Sequence, residues 1–166
     1  MNKTIVILVL LALIASCTSN QKNTIMDTAT KNKTSVQTFF KTLENENVEE
    51  LVALFSENGQ QINPYASGLF PEGANGKEAI KKYWTPVFPN FEGMQFQIEE
   101  LYAMEDPNIV FVKYTGRIKL KNDNGFYENN YYSTFKFNNQ GLITEYVEIF
   151  NPIVAARGFG MLDQIK

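Results

Sequence analysis

The hydrophobic pattern of this 166-residue chain changes its period once, and that change most constrains the fold. In the first half, apolar residues recur every three or four positions, as in Val36, Phe39, Phe40 and Leu43, which is the spacing of an amphipathic helix. After Phe91, apolar and polar residues alternate, which is typical of strands with one buried face. Helices followed by an antiparallel meander predict an α+β fold and argue against a parallel α/β fold.

Capping and breaking residues set the expected ends of the other helices. Asn47 is a helix-capping residue type, and the second helix is expected to run from it to Gly59. Residues 64–76 hold two Pro and three Gly, which predicts a long loop. A third helix follows this loop and is expected to end or kink at Pro86.

Residues 1–16 have the pattern of a secretory signal peptide. Lys3 is the only charged residue before Asn20, and an unbroken apolar run from Ile5 to Ile14 follows it. This run is too short to span a bilayer, which requires about 20 apolar residues. We therefore expect these residues to direct export and then to be removed.

The tetrad Ile14-Ala15-Ser16-Cys17 at the end of that run resembles the lipobox of bacterial lipoproteins. In that family the Cys becomes the first residue of the mature protein and carries the lipid. The resemblance implies an exported bacterial lipoprotein of the cell envelope, anchored in a membrane through a lipid on Cys17 and facing the periplasm. The alternative is a plain signal peptide followed by an unrelated Cys, the only one in the chain.

The next segment, 17–34, is expected to be a lipidated flexible tether. It is rich in Thr, Ser, Asn, Lys and Gln, and its few apolar residues show neither a helical nor a strand period. The folded domain is then expected to occupy residues 35–166.

The composition excludes several classes of chemistry. The chain has no His and one Cys, so it cannot build histidine metal sites, Ser-His-Asp triads, internal disulfides or cysteine zinc sites. Its formal net charge is −3 and it has no basic run, which argues against a nucleic-acid partner. We expect neither a metal nor another cofactor.

The last strand carries the strongest catalytic candidate. Glu148 shares one strand face with Tyr146 and Phe150, and a carboxylate among aromatic rings is desolvated. Desolvation raises the pKa toward neutrality, where a carboxyl group works as a general acid or base. The alternative is a structural carboxylate that accepts hydrogen bonds from a neighbouring strand or pairs with Arg157 or a Lys. Glu100 is a second inward-facing candidate on similar grounds.

Several motifs in the second half of the chain resemble one protein family. They are similar to those of the phenazine-biosynthesis A/B proteins and their SnoaL-like and ketosteroid-isomerase-like relatives in the nuclear transport factor 2 superfamily. The resemblance covers about residues 35–160 as a fold and 88–160 as motifs. The motifs are Phe88-Pro89-Asn90-Phe91, Asp106-Pro107-Asn108, Gly116-Arg117, Tyr127-Glu128-Asn129, and Glu148-Ile149-Phe150-Asn151-Pro152 followed by Arg157 and Phe159-Gly160.

This resemblance implies a cone-shaped α+β barrel, in which N-terminal helices pack on a strongly curved antiparallel sheet around an apolar pocket. It also implies a homodimer formed through the outer face of the sheet. In the phenazine-type members, the Glu that matches Glu148 acts as an acid and base in a condensation. Those enzymes also use a His, and this chain has none.

Aromatic residues are the candidates for substrate binding in such a pocket. The tyrosines of the strands could donate phenol hydrogen bonds to a bound carbonyl or enolate, and the others could line the pocket. The alternative is that these side chains pack in the core, the tyrosines with their hydroxyls at the surface. The candidates are Tyr83, Trp84, Tyr114, Tyr132, Tyr146 and Phe150.

The sequence leaves three functions open. The first is an enzyme, at most a cofactor-independent isomerase or cyclase, that binds a small apolar molecule and moves protons through Glu148. The second is a non-catalytic lipoprotein that binds an apolar ligand in the same pocket. The third is an interaction domain whose cone is filled by its own side chains.

Overall fold

The computed structural model describes the backbone of residues 3–121 and 125–165, and the side chains of these ranges from Thr24 onward. The predicted signal peptide, 1–16, and the predicted lipid acceptor Cys17 lie outside the residues whose side chains are described. Among the described residues, no helix is long and apolar enough to cross a membrane.

The described chain folds into helices followed by a sheet, in the order that its periodicities predict, so the α+β class is confirmed. Three helices precede the main strands, and a short fourth helix follows the last strand. The helices are α1 (Lys3–Glu44), α2 (Val48–Ala53), α3 (Lys77–Trp84) and α4 (Pro152–Gly158), with 3₁₀ turns at Phe88–Asn90 and Leu162–Gln164. The strands are β1 (Phe55–Ile62), β2 (Gly73–Asn75), β3 (Phe91–Ala103), β4 (Ile109–Leu120), β5 (Phe126–Phe137) and β6 (Ile143–Phe150).

The strands form one curved sheet in the order β2-β1-β6-β5-β4-β3. Strands β3 to β6 are the predicted antiparallel meander, whereas β1 pairs with β6 in parallel, with Gln61 opposite Tyr146. The register shifts between Ile98 and Glu100 in β3 and beside Ile143 in β6, and such bulges bend the strands. Strand pairing does not close the sheet, because β2 and β3 are its two edges in the described chain. The predicted cone is therefore an open, curved sheet with helices on its concave face.

Aromatic side chains fill part of the concave face. Helix α1 inserts Phe39 and Phe40, which lie on its predicted apolar stripe and are at most 3% exposed. The ring centroid of Phe39 lies 5.1 Å from that of Phe135 and 4.8 Å from that of Tyr146, and the ring of Phe40 lies 4.4 Å from that of Tyr114. This packing fixes α1 on β4, β5 and β6, and a cavity occupies the remaining part of the concave face.

The predicted flexible tether is part of helix α1, so the expectation of a flexible segment is wrong for residues 24–34. The Asn32 side chain is 1% exposed and donates a hydrogen bond to Pro107 O at 2.9 Å. Thr hydroxyls along this stretch donate to carbonyl oxygens four residues earlier. The polar residues therefore continue the helix without an apolar stripe, and the folded unit begins before the predicted boundary at 35.

Helix α2 is shorter than its pattern predicts. Asn47 caps it as expected, but the helix ends well before Gly59. Phe55 opens β1 opposite Ile143 instead, and a Cβ at Gly59 would lie only 2.9 Å from Ile143 O. Pairing with β6 thus overrides the local helical pattern. The predicted loop at 64–76 also differs from expectation, because it contains the short edge strand β2.

Candidate active site

A cavity of about 1060 Å³ lies between the concave face of the sheet, α3, α4 and the segment 86–91. Its walls are mainly aromatic and aliphatic. Ligand pockets usually measure about 300–1000 Å³, so the cavity is large enough for a small organic molecule. The apolar walls include Phe70, Trp84, Met94, Phe96, Ile118 and Phe150.

Glu148 lines this cavity from β6. Its Oε1 atom accepts hydrogen bonds from the Tyr146 hydroxyl at 2.7 Å and from the Tyr114 hydroxyl at 3.1 Å. Among the described residues, no side chain or backbone group donates to Oε2. The carboxylate is therefore held through one oxygen, and the other oxygen is available to a bound molecule.

The cavity makes Glu148 a desolvated acid. Burial raises the pKa of Glu148, and the hydrogen bonds from Tyr146 and Tyr114 lower it by less. The side chain is only half-buried by area, but its open part belongs to an apolar cavity rather than to the outer surface. Within the described chain, no Lys or Arg forms an ion pair with it, so the alternative of pairing with Arg157 is wrong there.

Two predicted substrate donors, Tyr114 and Tyr146, support Glu148 and do not line the cavity. Both are at most 1% exposed, and burial, followed by the charge of Glu148, raises the pKa of each well above its usual range. They are therefore neutral phenols. Their hydroxyl oxygens lie 3.1 Å apart, and Ser133 Oγ lies 3.4 Å from that of Tyr114. This chain of hydroxyls fixes the position of Oε1.

Tyr83 also lines the cavity, from α3. Asn63 Nδ2 donates to the Tyr83 hydroxyl at 3.0 Å and to Pro71 O at 2.9 Å. The Pro71 carbonyl oxygen can only accept a hydrogen bond, so the Asn63 group that faces it must be the NH₂ group. The same NH₂ group therefore donates to Tyr83, whose oxygen is the acceptor. The Tyr83 proton has no acceptor among the described residues. Burial, followed by the charge of Glu148, raises the pKa of Tyr83, so the phenol stays protonated.

Trp84 and Phe150, two other predicted ligand contacts, also line the cavity. Trp84 Nε1 donates to the buried Gln61 Oε1 at 2.8 Å, which satisfies the indole and fixes the plane of its ring. The ring centroid of Phe150 lies 5.6 Å from that of Phe70. These rings form apolar walls that suit the hydrocarbon part of a ligand.

The structure corrects the prediction for Tyr132. This residue is 45% exposed on the outer face of β5, opposite Ile149. Side chains alternate along a strand, so the odd-numbered positions of β5 from Tyr127 to Phe137 face inward, and Tyr131 and Ser133 are the inward neighbours of Tyr132. Tyr127 and Tyr131 line the cavity, and sequence reasoning missed them. Alternation counted along the whole strand would have found both.

Glu100, the second candidate acid, lies outside the cavity. The bulge between Ile98 and Glu100 reverses which residues of β3 face inward. As a result, Glu100 Oε1 lies 3.4 Å from Lys113 Nζ, and its side chain is 41% exposed. Glu100 therefore does not form a carboxylate pair with Glu148 in the cavity.

The groups at the cavity suit acid–base chemistry on an apolar molecule. Oε2 of Glu148 can accept or give a proton, and Tyr83 can donate a hydrogen bond to an oxygen atom of a ligand. Apolar walls strengthen both interactions by lowering the local dielectric constant. No three His, Cys, Asp or Glu side chains are grouped closely enough in the described part of the chain to hold a metal ion.

Solved structures with the same fold come from several organisms. A provisionally named isomerase from Bacillus subtilis is 23% identical, with a TM-score of 0.72, over 79% of this chain and 94% of that one. A phenazine biosynthesis-related protein from Pseudomonas aeruginosa is 20% identical, with a TM-score of 0.72, over 84% and 91%. A pinacolase from Penicillium brevicompactum is 14% identical, with a TM-score of 0.68, over 81% and 95%. At these identities the likeness establishes the fold.

Sequence comparison identifies the family. No curated protein sequence matches the chain. The family model of the SnoaL-like domain matches residues 36–146, which is more than half of the chain. The match runs from the buried stripe of α1 to Tyr146, one of the two phenols that hold Glu148. The chain therefore belongs to the SnoaL-like domain family of the nuclear transport factor 2 superfamily.

Proposed function

We propose that this protein binds a small apolar molecule in the cavity and transfers a proton on it, without a cofactor, in an isomerase- or cyclase-type reaction. One observation carries the proposal, namely that the two oxygens of Glu148 have different surroundings. Oε1 is held by two buried phenols, whereas Oε2 has no donor among the described residues, and the Glu148 side chain lines an apolar cavity. A carboxyl group held in this way can exchange a proton with a ligand while its position stays fixed.

The proposed step is a proton shift beside a carbonyl group. Ionised Glu148 removes a proton from carbon through Oε2, and the electron pair of the C–H bond forms an enolate. Tyr83 donates a hydrogen bond to the enolate oxygen, where the negative charge collects. Glu148 then returns the proton to another carbon of the same molecule. The atoms and electrons balance, so the reaction needs no co-reactant.

Structures of the same fold support this reaction class. One is provisionally named an isomerase and another a pinacolase, although the identities of 23% and 14% establish the fold alone. The phenazine-type condensation is not proposed, because this chain has no His to match the one that those enzymes use.

Deuterium exchange tests the proposal before a substrate is known. A panel of apolar cyclic ketones and enones is incubated with the protein in D₂O, and exchange beside the carbonyl is followed by NMR. We expect Glu148→Gln to slow this exchange by about 100-fold or more, because it removes the base. Tyr83→Phe should slow it by a similar factor, of the order of 100-fold, because it removes the donor to the enolate oxygen.

Matched variants on the outer face serve as controls for this experiment. Glu145→Gln changes a neighbouring carboxylate of β6 that is paired with Lys136, and Tyr132→Phe removes an exposed hydroxyl. Both should exchange at the wild-type rate. Wild-type exchange in Glu148→Gln would contradict the proposed enzyme. Binding of the ketones without any exchange in the wild type would favour the non-catalytic ligand-binding protein, and no binding would favour the interaction domain.

We also propose that the chain is exported and anchored in the cell envelope through a lipid on Cys17, facing the periplasm. The support for this proposal is the sequence: a lone Lys3, an apolar run, and a lipobox-like tetrad that ends in the only Cys. A domain held beside a membrane would meet apolar molecules that partition into it. Location and the apolar cavity are therefore consistent with one another.

A homodimer is proposed as well, formed through the outer face of the sheet. Tyr132 and Ile149 lie opposite each other there, 45% and 37% exposed. Tyr65 and Val154 line the same shallow surface depression as these two residues. A second copy that covered this face would bury apolar surface that is otherwise in contact with water.

A further inference from the structure

Two cationic side chains, Arg157 and Lys121, line the same cavity as Glu148. Arg157 lies in the last turn of α4, and Lys121 follows the end of β4. Both are exposed, so they lie at the open end of the cavity, whereas Glu148 is held inside by buried phenols. A protein with a net charge of −3 thus presents two positive charges at the entrance of a mainly apolar cavity.

Helix α4 fixes the position of Arg157 at this entrance. The Asn151 side chain caps the helix, and the Asn151 backbone exchanges hydrogen bonds with the Asn129 side chain of β5, at 2.9 Å and 3.3 Å. At the other end, Gly158 packs so closely on Tyr127 that a Cβ there would lie 2.7 Å from the ring. The helix is therefore held against β5 at both ends, and Arg157 projects from a fixed backbone.

Arg157 has no structural partner of its own among the described residues, since no hydrogen bond, ion pair or ring contact involves its guanidinium. Arg117, the other arginine of the chain, shows the usual structural role. It donates to Glu128 Oε1 at 2.5 Å and lies 3.5 Å above the centre of the Phe126 ring. Within the described chain, the donors of Arg157 are therefore unpaired and can bind a ligand.

We infer that the ligand of this cavity carries a carboxylate, which Arg157 binds at the entrance while Glu148 acts on the apolar part of the molecule inside. This inference rests on the proposed function, because it names the class of molecule on which Glu148 acts. A guanidinium presents parallel N–H donors that match both oxygens of a carboxylate. Lys121 adds a second positive charge that attracts the anion to the entrance.

Binding of two matched compounds tests the inference. The full chain is titrated by calorimetry with 2-naphthylacetate and with 2-naphthylacetamide, which share an apolar ring system and differ in charge. We expect the carboxylate to bind at least about tenfold more tightly than the amide, because only the carboxylate forms a charged pair with the guanidinium. Arg157→Gln should remove this preference and leave the affinity for the amide within about twofold, which also shows that the variant is folded. Lys82→Gln removes an exposed charge that does not line the cavity, and it should change neither affinity.

Each outcome separates this inference from the proposed function. If the wild type binds both compounds equally, or if Arg157→Gln keeps the preference for the carboxylate, the carboxylate site is overturned and the apolar cavity is not. If the wild type binds neither compound at millimolar concentration, the small-molecule site itself fails, and the carboxylate site fails with it. Loss of the preference in Lys82→Gln would show a long-range charge effect and would also overturn the role of Arg157.

Discussion

Replacing Glu148 with Gln should stabilise the protein at neutral pH. The Gln carbonyl oxygen can accept the same hydrogen bonds from Tyr114 and Tyr146, so the buried phenols keep their partner. Two effects oppose each other on the charged carboxylate: burial destabilises it, and the two hydrogen bonds stabilise it. Burial is the larger effect, because the pKa of Glu148 is raised despite both hydrogen bonds. The substitution removes the charge and with it the cost of burying that charge. A neutral group in the same place avoids the desolvation of that charge.

The pH range of this effect follows from the raised pKa of Glu148. The folded state holds the Glu148 proton more tightly than the unfolded state, whose pKa is about 4.3. The contribution of Glu148 to wild-type stability therefore falls as the pH rises from about 4 through its folded-state pKa, and this contribution is constant above that value. At pH 7 the wild type buries a charge that Glu148→Gln does not carry, so we expect the variant to be more stable there, by about 1 kcal/mol, the usual size of a single-substitution effect. Below pH 4 the two proteins should agree within about 0.5 kcal/mol.

Urea unfolding of both proteins from pH 4 to pH 8 measures this difference. A gain of 1 kcal/mol corresponds to about 3 °C in Tm for a domain of this size, so thermal unfolding provides a second readout. Glu145→Gln on the same strand is the control, because it removes a partly exposed carboxylate and should not stabilise the protein. If Glu148→Gln is less stable than the wild type by 1 kcal/mol or more at pH 7, the phenols outweigh desolvation. Glu148 would then be a structural carboxylate, and the reasoning behind the proposed base would be refuted.

Local periodicity was sufficient to predict the class of fold and the facing of the main helix. The stripe that contains Phe39 and Phe40 is buried because a helix of period 3.6 has only one side to place against the sheet. Period-two alternation likewise placed Tyr146 and Glu148 on one face of β6, where they are hydrogen-bonded to each other. These relations are local in sequence, so no knowledge of strand pairing was required.

The rest of the site depends on pairing that the sequence pattern does not contain. Tyr114 reaches Glu148 across 34 positions of the chain, through the register of three successive strands. The bulge in β3 displaced Glu100 to the surface, because one extra residue reverses the facing of all that follow. The prediction for Tyr132 was wrong for a simpler reason. Its neighbours Tyr131 and Ser133 face inward, so Tyr132 must face outward, and this becomes clear only when the alternation is followed along the whole strand.

Three further variants test the anchor, the dimer and the support of the carboxylate. Cys17→Ser should move the protein from the membrane fraction to the soluble fraction of fractionated cells, and retention in the membrane would contradict a lipid on this residue. Tyr132→Lys should shift the molecular mass measured by light scattering from that of a dimer to that of a monomer, whereas an unchanged mass would argue for another interface. Tyr146→Phe keeps the buried ring but removes the 2.7 Å hydrogen bond to Glu148, and a bond to a charged group contributes about 1.5–3 kcal/mol. Because this bond stabilises the ionised form, its loss should raise the pKa of Glu148 further and destabilise the protein most above that pKa. The destabilisation measured by urea unfolding should therefore shrink as the pH falls and Glu148 takes up its proton. An equal loss at pH 4 and pH 8 would mean that the Tyr146 hydroxyl does not stabilise the charge of Glu148, and that Oε1 is not the fixed oxygen on which the proposed chemistry depends.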